Sequence, residues 1–323
     1  MTETSKLAKI DRAIEDLEPL EKECTLCPRN CRVDRTKSPA GVCRSGAHAS
    51  LSHGLLHHGE EPVLSGGSAA RRGSGTIFFT GCNLKCLFCQ NYQLSWLGQG
   101  RTVSDAELAS LMLDLQDQGA NNINLVSPTH FVVAILRALR TAIVRGLEIP
   151  LVYNSNGYDK VETLEKLAGI IDFYLPDLKY LSARLSKRYS GADDYFARAG
   201  AAVQEMFFQQ PDLVLNEHDV AVKGMIVRHL VLPGHADDSL ALLDWVSRTF
   251  PKTICLSLMS QFKPCYRAPE EIRRPLTPRE YKTVVSRAQE LGFENLFLQS
   301  DIFEPDEHLV PDFSRPEPFR WKK

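Results

Sequence analysis

Three cysteines that lie close together in the sequence are the residues best suited to chemistry. Cys82, Cys86 and Cys89 fall within eight residues and follow a short apolar run, TIFFT at 76–80. Thiolates bind soft metals and iron–sulfur clusters, so three of them on one loop indicate a metal site. A structural zinc ion needs four ligands, and the next cysteine, Cys255, is 166 residues away. The favoured interpretation is a cluster with one iron open to a small molecule, and the alternative is zinc completed by a histidine or a distant cysteine.

A second set of cysteines lies near the N-terminus. Cys24, Cys27, Cys31 and Cys43 place four thiols within 20 residues. A segment this short cannot build a core, so a bound metal would be its main source of order. Zinc is the simplest occupant and is slightly favoured, and an auxiliary iron–sulfur cluster accepts the same four thiolates. The loop is locally basic, which is interpreted as charge compensation for the thiolates.

The composition is that of an ordinary globular protein. The 323 residues are 43% apolar and 24% charged, with a formal net charge of −2, so nucleic acid and anionic membrane are not expected partners. No apolar stretch approaches the roughly 20 residues that span a bilayer. The charged N-terminus lacks the apolar core of a signal peptide. Nine cysteines without an export signal favour a reducing, cytoplasmic location.

Short apolar runs alternate with helical patterns along most of the chain. Capping boxes at Ser104 and Glu107 and at Thr277 and Glu280 predict the starts of two helices. The apolar runs predict strands buried on both faces of a parallel sheet. Such alternation indicates an open or closed (β/α) barrel or a doubly wound sheet, with chemistry at the carboxyl ends of the strands. The runs lie at 76–80, 123–127, 150–154, 172–176, 224–233, 253–259 and 295–299.

The cysteine sets and the apolar runs divide the chain into three predicted segments. Residues 1–65 would form an N-terminal segment with the four-cysteine knuckle, residues 66–300 the barrel, and residues 301–323 a C-terminal tail. A stretch rich in glycine and histidine at 53–75 has turn composition. We expect this stretch to connect the knuckle with the barrel.

The three-cysteine loop resembles that of the radical S-adenosylmethionine (SAM) superfamily. The resemblance rests on the C-x-x-x-C-x-x-C spacing after the first strand and on the aromatic Phe88 before the third cysteine. Gln90-Asn91 and the phrases NINLVSPTH, YNSNGY, YLPDLKY and VRHLVLPG are similar to those of proteins related to pyruvate formate-lyase activating enzyme. The resemblance implies a partial (β/α)6 TIM-like barrel with a small N-terminal metal-binding knuckle. It also implies a [4Fe-4S] cluster on the three cysteines and SAM as the cofactor.

The resemblance further implies an oxidoreductase activity. In this superfamily the reduced cluster cleaves SAM to a 5′-deoxyadenosyl radical, which abstracts hydrogen from a substrate. The activase-like phrases imply a protein or peptide substrate, with glycyl-radical activation as one form of the reaction. A low-potential electron donor of the ferredoxin or flavodoxin type is the implied partner. The alternatives are radical modification of a small metabolite or RNA, and a non-catalytic iron–sulfur electron-transfer protein.

SAM-binding residues are carried over from the resemblance phrase by phrase. The superfamily usually has a Gly-Gly-Glu-like turn after its second strand, whereas this chain has VSPTH at 126–130. Ser127, Thr129 or backbone carbonyls would therefore accept hydrogen bonds from the methionine amino group. Asn154 and Asn156 lie in a phrase that resembles the Asp-Thr-Asn-Gly of activating enzymes, although the same residues also favour turns.

The phrase YLPDLKY supplies two charged candidates. Asp177 would bind the ribose hydroxyls and Lys179 the methionine carboxylate, although the two could instead form a purely structural ion pair. Gln261 stands where activating enzymes tend to have a histidine. The full set implied to bind SAM is Phe88, Ser127, Thr129, Asn154, Asn156, Asp177, Lys179, Arg228 and Gln261.

Overall fold

The computed structural model describes residues 3–66, 72–299 and 309–319, and the strands in these residues form one sheet. The order across it is β10-β9-β8-β6-β5-β4-β2-β1-β3, with β7 paired to β8. The strands are β1 (Ser50–His57), β2 (Ser74–Phe79), β3 (Arg101–Thr102), β4 (Ile123–Val126), β5 (Leu151–Ser155), β6 (Phe173–Pro176), β7 (Val214–Leu215), β8 (Ala221–Leu230), β9 (Cys255–Met259) and β10 (Asn295–Leu298).

Helices connect the strands and cover the sheet. Both predicted capping boxes are confirmed, at the starts of α4 and α10. No helix in the described parts of the chain is long and apolar enough to cross a membrane. The helices are α1 (Glu3–Leu17), α2 (Pro62–Ser65), α3 (Tyr92–Ser95), α4 (Asp105–Asp117), α5 (Val132–Val144), α6 (Val161–Glu165), α7 (Ala183–Ser190), α8 (Tyr195–Gln209), α9 (Ala236–Thr249) and α10 (Pro278–Glu290).

The seven strands that correspond to the predicted apolar runs all lie parallel in one path. They are β2, β4, β5, β6, β8, β9 and β10. β1 and β3 extend the β2 edge in antiparallel pairing. Within the described residues the two ends of the sheet do not pair with each other, so the barrel is open. The predicted partial TIM-like barrel is confirmed.

The short helix α2 fills the barrel at the amino ends of the strands. Alternate residues of a strand point to the same face, and Val152, Leu175 and Ile226 form one apolar cluster with Leu64 of α2. Leu64 is completely buried. The helix α2 therefore fills the interior at the amino ends of the strands, and an open cavity lies near the carboxyl ends.

The stretch at 53–75 includes the end of β1, the helix α2 and the start of β2, and its residues 67–71 lie outside the described part of the chain. β1 pairs with β2 from Leu51 to His57, and α1 packs against α5. Glycine favours turns by composition, but Gly54 lies within β1. A Cβ atom at Gly54 would lie 2.7 Å from Cδ1 of Leu111, so this glycine allows α4 to approach the strand closely. The division of the chain at residue 65 stays a prediction.

The predicted C-terminal tail, 301–323, lies partly outside the described residues. Residues 309–319 of this tail pack against β2 through two aromatic rings. Phe313 and Phe319 lie 5.2 and 5.4 Å from Phe78, measured between ring centroids. This segment therefore covers the outer edge of the barrel opening.

Candidate active site

All three loop cysteines line one cavity of about 260 Å³ at the carboxyl ends of the parallel strands. The loop directly follows β2 and carries Cys82, Cys86 and Cys89. Residues at the ends of the neighbouring strands form the remaining wall, because the carboxyl ends of parallel strands meet at one edge of a sheet. These wall residues include Val126, Asn154, Asp177, Arg228 and Met259.

Hydrogen bonds to neighbouring elements fix the shape of the cysteine loop. The amide of Leu87 donates to the carbonyl of Tyr189 in α7 at 2.8 Å. The indole of Trp96 donates to the carbonyl of Cys86 at 2.9 Å. Gly81 enters the loop with φ of +75°, a backbone conformation that glycine adopts without steric cost. The cysteines are therefore held in place by the protein itself.

Each of the three sulfur atoms accepts a hydrogen bond from a neighbouring side chain. Donors of this kind orient thiolate ligands and stabilise their negative charge. The sequence did not single out two of these donors, because they come from α7 and α3 and are serines with no distinguishing local pattern. The pairs are Cys82 with Nδ2 of Asn156 (3.3 Å), Cys86 with Oγ of Ser190 (3.1 Å), and Cys89 with Oγ of Ser95 (3.3 Å).

The chemistry of the three thiols fits a polynuclear cluster. Burial raises the pKa of Cys82 to about 11 and that of Cys89 to about 12, so both stay protonated at neutral pH unless a bound cation displaces the protons. Within residues 3–66, 72–299 and 309–319, no three His, Cys, Asp or Glu side chains are arranged around a single metal ion. Three thiolates are the donor set that an iron–sulfur cluster accepts.

The same cavity contains the residues that the sequence predicted to bind SAM, with the exception of Thr129. Thr129 is buried and its hydroxyl donates to Oδ1 of Asp159 at 2.7 Å. The chain enters a 3-10 helix at Thr129–Phe131, and Thr129 is not among the residues that line the cavity. Thr129 therefore lies outside the lining of this cavity, and its part in SAM binding stays a prediction. The predicted residues that line the cavity are Phe88, Ser127, Asn154, Asn156, Asp177, Lys179, Arg228 and Gln261.

Asp177 and Lys179 form an ion pair inside the cavity. Nζ of Lys179 lies 2.5 Å from Oδ2 of Asp177. Burial acts to lower the pKa of Lys179, but the Asp177 carboxylate and the Cys86 thiol outweigh it and raise the pKa. Lys179 therefore carries a positive charge beside the cysteine loop.

Two buried acids beside Arg228 were not singled out from the sequence, and one of them, Glu60, lines the cavity. Nε of Arg228 donates to Glu61 at 2.9 Å, and its Nη2 atom binds the carboxylates of both Glu60 and Glu61. Burial acts to raise the pKa of Glu61, but the Arg228 guanidinium outweighs it and lowers the pKa. Arg228 therefore lines the cavity but is already neutralised by the protein. The adjacent acids just before Pro62 were the available signal.

An open parallel barrel with a cysteine cavity at its strand ends belongs to the class of α/β proteins that place cofactors at this edge. The chain belongs to the Radical SAM superfamily, whose profile matches residues 76–246. It is 30% identical over 300 residues to a protein of Methanocaldococcus jannaschii described as uncharacterized. That match covers 89% of this chain and 80% of the relative.

Two solved structures align with part of this chain. One is Streptococcus suis SuiB bound to S-adenosylmethionine, at 15% identity and a TM-score of 0.47, covering 68% of this chain and 48% of SuiB. The other is hexahistidine-tagged anSMEcpe with bound AdoMet, at 16% identity and a TM-score of 0.45, covering 68% of this chain and 60% of that one. The chain therefore spans about half the length of SuiB.

Proposed function

We propose that this protein binds a [4Fe-4S] cluster through Cys82, Cys86 and Cys89 and uses SAM to abstract hydrogen from a protein or peptide substrate. The observation that carries the proposal is one cavity that contains three hydrogen-bonded thiols beside a charged pair. When bound, the cluster would supply one electron for the reductive cleavage of SAM. The second metal that the sequence predicts belongs to the four N-terminal cysteines and is not required for this step.

The chain's own residues would bind SAM and exclude water. The carboxylate of Asp177 would accept hydrogen bonds from the ribose hydroxyls, and the ammonium of Lys179 would meet the methionine carboxylate. Phe88 lies 5.6 Å from Phe262 between ring centroids. These rings form an apolar wall of the cavity, which would keep water from a reactive radical.

The substrate class rests on the resemblance of YNSNGY and YLPDLKY to activating enzymes. This resemblance favours a protein or peptide substrate, with glycyl-radical activation as one form of the reaction. A ferredoxin- or flavodoxin-type carrier would supply the electron. Modification of a small metabolite or RNA keeps the same cavity chemistry. A non-catalytic electron-transfer protein would bind iron but would leave SAM intact.

Reductive cleavage of SAM is the direct test. We expect the anaerobically reconstituted, dithionite-reduced protein to convert SAM to 5′-deoxyadenosine and methionine. Protein that binds about four irons in the cavity but leaves SAM intact would support the electron-transfer alternative. If SAM is cleaved, a deuterated extract identifies the substrate class. The extract is separated into protein and small-molecule fractions, and the fraction that transfers deuterium to 5′-deoxyadenosine contains the substrate.

Replacing Asp177 with alanine should weaken SAM binding by about tenfold or more, because charge-assisted hydrogen bonds contribute roughly 1.5–3 kcal/mol each. Asp172→Ala is a matched control. Asp172 pairs with Lys6 at 2.8 Å, and its side chain is 22% exposed against 21% for Asp177. Asp172 does not line the cavity. SAM affinity and melting temperature are measured for both variants.

The two possible roles of Asp177 give different results in this comparison. If Asp177 binds SAM, only Asp177→Ala loses affinity, whatever the change in melting temperature. If both variants lose melting temperature and keep normal affinity, the ion pair with Lys179 is purely structural. In that case Asp177 would be removed from the binding site.

A further inference from the structure

The segment 309–319 fills an apolar groove beside the active-site cavity, here called the aromatic groove. Two rings of the segment, Phe313 and Phe319, belong to one apolar cluster with residues of the barrel. Most of these barrel residues also line the active-site cavity, so the aromatic groove is the outer end of that cavity. The barrel residues of the cluster are Leu55, Phe78, Leu94 and Val126, and all except Leu55 line the cavity.

The two phenylalanines of the segment are seated among aromatic side chains of the barrel. Both are buried, at 4% exposure for Phe313 and 9% for Phe319. The ring of Phe313 lies 5.8 Å from that of His53, and the ring of Phe319 lies 4.6 Å from that of His57, measured between centroids. Aromatic pairs at such separations gain energy beyond the burial of apolar area. The groove is therefore suited to aromatic side chains.

Polar side chains of the barrel bind the backbone of the segment at two points. Oε1 of Gln93 accepts a hydrogen bond from the amide of Phe313 at 2.7 Å. Nε2 of His53 donates to the carbonyl of Arg315 at 2.9 Å. Backbone N–H and C=O groups recur along any peptide, so contacts of this kind need no particular sequence. In peptide recognition, backbone hydrogen bonds give affinity and side-chain pockets give specificity, and this groove supplies both.

The segment keeps its shape through contacts of its own. The amide of Asp312 donates to the carbonyl of Pro318 at 3.0 Å, and the amide of Arg315 donates to the carbonyl of Asp312 at 3.1 Å. Residues 309–319 contain no strand and add nothing to the sheet. A segment that few hydrogen bonds tie to its surroundings can open locally while the barrel stays folded. The segment can therefore leave the groove as a unit.

We propose that the aromatic groove is the docking site for a peptide that carries aromatic side chains, and that residues 309–319 occupy it when no such peptide is bound. The inference rests on the proposed function, because the docked peptide would be part of the protein substrate. Pro311 and Phe319 of the segment line the active-site cavity. A peptide in the same place would lie against the cavity that contains the three thiols. The substrate would thus displace the segment before hydrogen is abstracted.

Docking is tested with a labelled synthetic peptide that has the sequence of residues 309–319, LVPDFSRPEPF. In the full chain, Phe313 and Phe319 are replaced together by alanine, which releases the segment. A tethered segment competes at a high effective concentration, so fluorescence anisotropy should show about tenfold or more tighter binding of the peptide to this released variant than to wild type. A peptide with both phenylalanines replaced by alanine should not bind. Equal affinity for the released variant and wild type, or no binding to the released variant, would overturn the proposal.

A second variant keeps both aromatic rings in place. Asp312→Ala removes the hydrogen bond that Nε2 of Gln93 donates at 3.2 Å, together with contacts of the carboxylate to Ser314 and Arg315. The side chain of Asp312 is 37% exposed, so the apolar packing is left unchanged. This variant should also bind the peptide more tightly than wild type. A variant with a normal circular dichroism spectrum and no gain in affinity would contradict the proposal.

The groove side is tested by Gln93→Ala in the released variant, with Gln116→Ala as the matched control. The side-chain amide of Gln116 also bonds backbone groups, the carbonyl of Gly146 at 2.9 Å and the amide of Glu148 at 2.8 Å. Gln116 does not line the active-site cavity. Only Gln93→Ala should weaken peptide binding, by about threefold to tenfold, because a hydrogen bond is lost. Equal affinities of the two variants would place the peptide outside the aromatic groove.

The link to the substrate is tested by competition in the reconstituted released variant. At a peptide concentration of about ten times its Kd, deuterium transfer from the protein fraction to 5′-deoxyadenosine should fall about tenfold. Transfer that saturating peptide leaves unchanged would show that the substrate docks elsewhere. Failure of the proposed function is a different result, because SAM would then stay intact although the peptide still binds.

Discussion

Alanine at Cys82, Cys86 and Cys89 together is expected to remove the iron from the active-site cavity and abolish formation of 5′-deoxyadenosine. The three thiols line one cavity, and each sulfur accepts a hydrogen bond from Asn156, Ser190 or Ser95. No other cysteine lines this cavity, so none in the described residues can replace them. Iron per chain should fall by about four atoms relative to wild type. The iron content is measured on the same samples in which 5′-deoxyadenosine is determined by chromatography.

Two other buried cysteines provide a matched control for this prediction. Cys255 and Cys265 are both buried, but neither lines the active-site cavity. Alanine at these two positions should leave iron content and SAM cleavage close to wild type. A triple variant that still cleaves SAM under dithionite would remove the three loop cysteines from the reaction.

The strands were predictable because the local sequence is enough to indicate that they are buried. Strands such as β5 and β9 are buried on both faces, and a run of mostly apolar residues indicates such a strand without knowledge of distant residues. The two capping boxes are equally local, since their partners lie three residues apart. The three loop cysteines could be found for the same reason, because the spacing that makes a cluster site lies within one loop.

The features that were missed depend on distant partners. Glu60 and Glu61 are buried beside Arg228, which lies more than 160 residues away and neutralises them. Gly54 is in a strand because Leu111 packs on it, although glycine by itself indicates a turn. Composition describes what a segment prefers in isolation, whereas these three residues take their conformation from the barrel around them.

Methionine at Arg228 is expected to destabilise the protein strongly, by about 3–5 kcal/mol of unfolding free energy, because removing one partner leaves buried charge uncompensated. The side chain of Arg228 is 13% exposed, and those of Glu60 and Glu61 are 7% and 6% exposed. Denaturant unfolding measures the loss. Arg287→Met is the control, because Arg287 pairs with Asp244 at the surface and exposed ion pairs contribute little.

A compensated variant separates charge from packing. Glu60→Gln and Glu61→Gln, combined with Arg228→Met, remove the uncompensated carboxylates while keeping similar side-chain volumes. Replacing a complete buried ionic cluster by neutral groups is often close to neutral for stability. We expect the compensated variant to recover most of the loss. If it is as unstable as the single variant, the shape of Arg228 and not its charge stabilises the cavity wall.

The pH dependence of stability, compared between the wild type and Arg228→Met, is a second test of charge against packing. In the wild type, the pKa of Glu61 is below its ordinary value of 4.5 in the folded state. Its contribution to stability is therefore present above that pH and is lost as the pH falls. In Arg228→Met the unpaired, buried carboxylate of Glu61 has a raised pKa, so its protonation in acid favours the folded variant. The deficit should consequently be large at about pH 7 and much smaller at about pH 4. A deficit that does not change with pH would mean that lost packing, and not uncompensated charge, destabilises the variant.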